Sequence, residues 1–242
     1  MVTATKGLDI ADLPTPAFNA HALVTPSQLW QAAFPHQGVV VLSGPNLAKE
    51  IQQGLPAATV VASTNMAAAT TVQSAFTSTS FRVYTNPDPL GVELGGTLKN
   101  VIAIAAGTCD GLQLGTNAKA ALVTRGLAEM IRVGTYWGAQ AATFQGLSGL
   151  GDLLATCNSP LSRNYQIGYQ LAQGQDLAQI LSHLQGTAEG INTSRVLMQL
   201  TSEPNITVPI SYQVVRLLAG EISPQAAVAA LMLRDVKPEY GS

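Results

Sequence analysis

The stretch Gly91-Val-Glu-Leu-Gly-Gly-Thr-Leu-Lys-Asn-Val-Ile-Ala-Ile-Ala-Ala-Gly107 constrains this chain more than any other, because it sets one lysine, Lys99, inside a small and apolar helical pattern. At helical spacing its neighbours three and four residues away are Gly95, Gly96, Ile102 and Ala103, so no acid on the same helix can pair with it. One reading is a lysine that snorkels to the surface over an alanine-rich helix. The other is a partly desolvated amine that is put to use. The pair Gly95-Gly96 costs a helix about 1 kcal/mol per residue. That cost points to something approaching the backbone closely, and a flat ligand ring beside the lysine would fit.

Composition narrows the partners. The chain has 242 residues, enough for a substantial core and one or two domains. Only 11% of residues are charged and the net charge is -2, so no broad basic surface for nucleic acid is expected. The two cysteines, Cys109 and Cys157, are far apart, form no metal-ligand spacing and read as buried thiols of a reducing compartment. No metal site is expected. Met1-Val-Thr-Ala-Thr-Lys-Gly-Leu8 lacks the basic start and apolar core of a leader, which points to the cytoplasm. The apolar run Val101 to Gly107 is far shorter than the roughly 20 residues a membrane span needs, so no span is expected.

Up to residue 88, β-branched runs alternate with helical ones: Gly38 to Gly44, Leu47 to Gln53, Ala58 to Ser63, Met66 to Phe76, and Phe81 to Asn86. Continuous apolar strands separated by helices indicate an α/β unit with parallel strands covered on both faces. From residue 89 helical runs follow one another, at 91–107, 117–137, 139–145, 150–157, 160–173, 176–184, 188–202, 208–219 and 223–233. Ser159-Pro160 and Ser223-Pro224 suit an N-cap followed by proline at the first helical position. The expected architecture is a partial Rossmann-type parallel sheet over 1–88, followed by an all-α domain over 89–242.

Thr3-Ala-Thr-Lys-Gly7 reads as the end of a strand entering a turn. A dinucleotide-binding sheet carries a Gly-x-Gly-x-x-Gly turn after its first strand, and this sequence holds none. Gly146-Leu-Ser-Gly-Leu-Gly151 has its glycines in another order and is read as a helix-helix turn.

Several segments, in preserved order, resemble the bacterial NAD(P)-dependent glycerol-3-phosphate dehydrogenase family. They are Ala4-Thr-Lys-Gly7, Leu42-Ser-Gly-Pro45, Gly91 to Asn100, Arg125-Gly-Leu-Ala-Glu-Met130, Gly146 to Asp152, Ser159-Pro-Leu-Ser-Arg-Asn164 and Glu189-Gly190. Family members are longer at the N-terminus, where a glycine-rich loop holds the cofactor pyrophosphate. The resemblance implies reversible reduction of dihydroxyacetone phosphate by NADPH or NADH to sn-glycerol 3-phosphate, the backbone precursor of phospholipids. A second reading is a shortened, noncatalytic remnant that binds glycerol 3-phosphate or a partner subunit. A homodimer stands among the expected partners.

The resemblance also assigns residues. Lys99 matches the proton-transfer lysine, general base in the oxidation direction, and also touches substrate; hydride delivery to a ketone leaves charge on oxygen that an ammonium can stabilise. Lys6, otherwise a surface turn lysine, faces both cofactor and substrate. Gly44 is expected to let substrate approach the backbone. Asn46 stands where many relatives carry serine or threonine and can still donate and accept hydrogen bonds. Ala48 is a small residue beside the cofactor. Asp152, which alone reads as a helix cap or first-turn acid, is placed near the substrate hydroxyls and the lysine, with Thr156 one turn later. Ser162, Arg163 and Asn164 form a phosphate anchor at a helix start, Arg163 also meeting the cofactor. Thr187 and Glu189 make a second cofactor contact. His21, His36 and His183 fall outside every matched motif and carry no assigned chemistry.

Overall fold

The computed structural model describes residues 1–10, 23–184, 186–202, 206–236 and 238–239, so His21 lies outside the described residues. The first part runs β1 (Val2–Thr3), β2 (Asp9–Ile10), β3 (Leu23–Val24), α1 (Pro26–Ala33), β4 (Val40–Ser43), α2 (Ala48–Gln52), β5 (Ala57–Ala62), α3 (Met66–Phe76) and β6 (Phe81–Asn86). The helical series follows as α4 (Pro89–Gly111), α5 (Gly115–Tyr136), α6 (Ala141–Phe144), a π-helical turn (Leu147–Gly151), α7 (Asp152–Asn158) and α8 (Arg163–Ala172). It continues with α9 (Leu177–His183), α10 (Glu189–Ser202), α11 (Pro209–Leu218) and α12 (Pro224–Met232).

The main sheet has the order β1-β4-β5-β6. β1 runs parallel to β4 with Val2 opposite Val40, and β5 parallel to β6 with Val60 opposite Tyr84. β4 and β5, however, are antiparallel, Val41 facing Ala62, so the sheet is mixed and not wholly parallel as its apolar runs suggest. The reason is the connection: α2 is five residues long, too short to carry the chain back along the sheet for a parallel crossover. Strand alternation still covers both faces. Val40, Val61 and Val83 pack with Ala68 and Val72 of α3, while Val41, Val60 and Ala62 pack with Val92 of α4.

Two pieces escape the sequence periodicity. β2 and β3 make a separate antiparallel ribbon. α1 buries none of its own residues, yet its first turn is tied to α4: Ser27 donates its backbone N–H (2.8 Å) and its hydroxyl (2.5 Å) to the buried Glu93 carboxylate. Burial raises the Glu93 carboxyl above its usual range, against these hydrogen bonds.

α4 is the axis of the molecule. Asp88 caps it, accepting from the Gly91 N–H at 2.9 Å, and its second oxygen accepts from Gln140 N–H (2.9 Å) and the Thr143 hydroxyl (2.7 Å), which binds α6 to the helix start. Along α4, Leu94, Leu98 and Ile102 meet Val123, Met130, Phe144, Leu153 and Leu197 in the main core. Glycines let α8 lie directly on α4: the Tyr165 carbonyl occupies the place of a side chain at Gly107, and the Ile104 carbonyl that of one at Gly168. This close crossing is why a helix that reads as merely small and apolar is buried on nearly all sides.

Several boundaries differ from expectation, and α4 runs on past residue 107 to Gly111. Helix α8 begins at Arg163, not at Pro160; the Ser162 hydroxyl accepts from the Tyr165 N–H at 3.2 Å and takes the cap, while Ser162 N–H donates to the Ser159 carbonyl to close a preceding turn. Gly146 to Gly151 is no simple turn, since Leu147–Gly151 is π-helical and leads without interruption into α7.

Candidate functional site

The question set by Lys99 has a direct answer: the residue is 6% exposed, and its counter-ion arrives from another helix. Its ammonium donates to Asp152 Oδ1 and, at 2.6 Å, to the Thr156 hydroxyl. Asp152 and Thr156 stand one turn apart on the same face of α7. The other oxygen of Asp152 accepts from Lys6 Nζ at 2.6 Å. One carboxylate thus holds two lysines that come from the loop after β1 and from the middle of α4. Burial, and after it the charge of Lys6, pull the Lys99 ammonium down to about 8, while Asp152 opposes the change.

The glycine pair that suggested a ligand ring is used by the protein itself. The Ser148 carbonyl and Gly149 amide pack against Gly95, and the Ser43 hydroxyl and the Lys6 stem pack against Gly96. The π-helical turn is thereby pressed onto α4, which sets Asp152 opposite Lys99.

Around this centre lies a cleft of about 770 Å³. Lys6, Asn46, Ala48, Lys99, Thr156, Ser162, Arg163, Asn164, Thr187 and Glu189, all singled out from sequence, line it. Asp152 stands behind the two lysines. Gly44 is not among the lining residues: at φ 148° it occupies backbone space that disfavours side chains, and what approaches it is Thr59, whose Cα would lie 3.1 Å from an added Cβ.

Asn46 is held in one orientation. Its Nδ2 donates to the Thr59 hydroxyl at 2.9 Å, and that hydroxyl donates to the Ser43 carbonyl at 2.8 Å, so Thr59 can only accept from Asn46. The amide oxygen is left buried and, among the described residues, without a partner. A buried acceptor in this state costs about 1–3 kcal/mol unless a ligand donates to it.

On the far wall, Asn164 Oδ1 accepts from the Gly190 N–H at 3.0 Å, and Asn100 Nδ2 donates to Glu189 at 3.4 Å, so α8, α10 and α4 are joined beside the cleft. Burial raises the Glu189 carboxyl above its usual range, opposed by Lys6, Arg163 and Lys99. Arg163 lies against the backbone of Gly186, where any side chain would collide with its guanidinium. Ser162, Arg163 and Asn164 thus place a bidentate cation at the start of α8, where unpaired backbone N–H groups favour anions. Lys49 on α2 and His183 at the end of α9 are among the lining residues that the sequence did not signal. Neither lies in a recognisable motif, and a surface lysine or a lone histidine carries no spacing signal.

A second cavity, about 910 Å³ and more apolar, lies between α5, α11 and α12, lined among others by Leu122, Ile210, Val214 and Leu217. It shares no lining residue with the first. Among the described residues no group of His, Cys, Asp and Glu is placed to hold a metal ion, and no helix is long and apolar enough to cross a membrane.

Comparison with known proteins agrees over most of the chain. The family model described as the N-terminus of NAD-dependent glycerol-3-phosphate dehydrogenase matches residues 1–69, and that described as its C-terminus matches 88–229. A Nostoc protein named glycerol-3-phosphate dehydrogenase (NAD(P)+) is 69% identical over 239 residues, covering 99% of this chain and 75% of the relative. A Synechocystis protein of the same name is 60% identical over 240 residues, covering 99% and 73%. The crystal structure of glycerol-3-phosphate dehydrogenase from Coxiella burnetii superposes with a TM-score of 0.85 at 36% identity, covering 96% of this chain and 68% of the other.

Proposed function

The chain belongs to the NAD-dependent glycerol-3-phosphate dehydrogenase family, and from that membership we propose how its cleft interconverts dihydroxyacetone phosphate and sn-glycerol 3-phosphate. The protein is an NAD(P)-dependent oxidoreductase by family. The observation that carries the assignment of roles is the shared carboxylate: Asp152 holds Lys99 and Lys6 together at the cleft.

Lys99 is the proton-transfer residue. Two of its three donor positions are taken by Asp152 and Thr156, which leaves one for the oxygen on C2 of the substrate. In reduction the ammonium gives its proton to that oxygen as charge develops there; in oxidation the neutral amine removes the hydroxyl proton. Its lowered proton affinity, about 8, places both forms within reach of neutral pH. Asp152 keeps the ammonium form available and fixes the nitrogen in place, and Lys6 adds a second positive charge for the carbonyl oxygen and the bound anion.

Ser162, Arg163 and Asn164 receive the substrate phosphate at the start of α8. Gly44 shapes the turn that carries Asn46, and Asn46 turns its unpartnered amide oxygen to a donor of the bound ligand. A nicotinamide dinucleotide fits the cleft: the volume exceeds what a triose phosphate needs, the walls carry Lys6 and Arg163 for phosphates, and Ala48 presents a small surface beside them. The residues that hold it are Lys6, Ala48, Arg163, Thr187 and Glu189. When bound it supplies or accepts the hydride.

We place the boundary between cofactor-side and helical units at residue 88, ahead of the Asp88-capped α4. The protein acts in the cytoplasm, where its phosphorylated substrate is confined and where its buried thiols, Cys109 and Cys157, stay reduced. It works as a homodimer, a reading supported by Met232 and Leu233, 78% and 85% exposed at the end of α12, an apolar tip that a second copy would cover. Light scattering gives the mass directly.

The test of function is dihydroxyacetone-phosphate-dependent oxidation of NADPH by this chain, with Lys99→Ala as control. Turnover reduced by about 10²–10⁴-fold in the variant is the expected result. A folded wild-type chain without turnover would remove the assignment.

A further inference from the structure

His183 closes α9 and lines the cleft, and Lys49 of α2 lines it as well. The imidazole is held from behind. Its Nδ1 lies 2.9 Å from the Gln179 carbonyl and 3.0 Å from the Ser182 hydroxyl, and that hydroxyl in turn donates to the same carbonyl at 2.7 Å. A carbonyl only accepts, so Nδ1 carries the hydrogen and Nε2 is the free nitrogen. Among the described residues Nε2 has no hydrogen-bond partner.

The surroundings are cationic. Arg163 lines the cleft from α8, Lys49 from α2, Lys6 from the loop after β1 and Lys99 from α4; Glu189 of α10 is the acid among the lining residues, and Asp152 of α7 is committed to the two lysines. The substrate phosphate does not use this rim if it sits on the amides and Arg163 at the start of α8. Polar groups of Gln166 and Gln170 continue the wall from Arg163 along α8.

We propose that His183, with Lys49 of the same cleft, is a contact for a phosphate group of the bound dinucleotide, a role that nothing in the sequence motifs assigns to either residue. The inference rests on the dehydrogenase reading and extends it. The neutral ring offers a lone pair at Nε2, which repels a phosphate oxygen; the imidazolium offers an N–H donor and a positive charge. A phosphate at this position therefore binds the protonated ring better than the neutral one. Histidine is the side chain whose charge ordinarily changes between about pH 5 and 8. A positive ring at the last turn of α9 also complements the exposed carbonyls there.

Direct titration of NADPH and NADH, followed by cofactor fluorescence at about pH 6 and about pH 8, tests this on the wild-type chain, His183→Gln and Lys49→Gln. His183 is exposed, so its replacement removes no core packing. At about pH 6 the His183→Gln variant is expected to bind about fivefold to tenfold more weakly than wild type, with the gap closing at about pH 8. Lys49→Gln is expected to weaken binding at both. Loss for both cofactors assigns the contact to the pyrophosphate, and loss for NADPH alone assigns it to the 2′-phosphate. Equal affinity of wild type and His183→Gln at about pH 6 overturns the proposal. So does weaker binding of glycerol 3-phosphate, read by calorimetry, with cofactor affinity unchanged. A wild-type chain that binds neither cofactor overturns the dehydrogenase reading and this inference with it.

Discussion

The Ser148 carbonyl stands where a side chain at Gly95 would have to go: a Cβ there would lie 2.8 Å from the Ser148 oxygen and 3.3 Å from the Gly149 nitrogen. Both contacts are backbone, so neither can rotate away. The π-helical turn that contains Ser148 and Gly149 leads straight into Asp152, the partner of Lys99. The spacing of α4 against this turn is the spacing of the acid from its lysine.

Gly95→Ala is therefore expected to act on both stability and catalysis. Alanine gains about 1 kcal/mol of helix propensity, but the turn must move, and overpacking of this kind costs about 1–3 kcal/mol. Denaturant unfolding should show a net loss of about 1 kcal/mol. The kcat should fall by more than that loss explains, because the displaced turn carries Asp152.

The proton affinity of Lys99 predicts opposite pH dependences for the two directions. Oxidation of glycerol 3-phosphate needs the neutral amine, so its rate rises as pH passes through about 8. Reduction needs the ammonium, so its rate falls over the same interval. Initial rates in both directions across pH check this; a pair of profiles that bend the same way near about 8 would contradict it.

Asp152→Asn removes the one carboxylate shared by two ammonium groups. The charge of Asp152 raises the proton affinity of Lys99, whereas burial and Lys6 lower it. Without it the midpoint of the reduction profile moves to lower pH. A kcat loss of about 10²-fold or more accompanies the shift as Lys99 loses its anchor. A loss of rate with an unmoved midpoint would assign Asp152 a purely structural role.

Glu129 is a stability determinant away from the cleft. Its carboxylate accepts from the Ile210 and Ser211 N–H groups, each at 2.9 Å, and from the Ser211 hydroxyl at 2.5 Å, thereby joining α5 to the start of α11. Burial raises its proton affinity despite these bonds. Since the folded state then binds the proton more tightly than the unfolded one, its contribution to stability is greatest at low pH and declines as pH rises through the raised value. Glu129→Gln turns one acceptor into a donor facing donors, and about 2–3 kcal/mol of stability should be lost in urea unfolding, with turnover of the remaining folded protein unchanged.

Much of this was legible along the chain. The β-branched runs ending at Asn86, the helices from α3 onward and the Ser223-Pro224 cap follow from local periodicity and from single residues. The direction of β4 against β5 was not, because an apolar run reads the same both ways and only the length of α2 decides. The start of α8 is ambiguous in the sequence because two serines, Ser159 and Ser162, each qualify as a cap, and the fold uses the one whose helix then lies on Gly107. The ribbon of β2 and β3 has no periodicity to read in two residues per strand.

The sequence by itself determined that Lys99 could have no partner within its own helix, that the motifs of one dehydrogenase family occur in order, and which ten of the cleft's lining residues to watch. Periodicity is a property of neighbours three and four positions away, and these statements need nothing more. The tertiary structure alone decided that Asp152 serves Lys99 and Lys6 at once, that the glycine pair admits the protein's own backbone at Gly95 and its own side chains at Gly96 and not a ligand, and that His183 and Lys49 line the same cleft. Each of these joins groups far apart in the chain. Their meeting depends on how closely α4 can approach its neighbours, a quantity set by packing and invisible to local pattern.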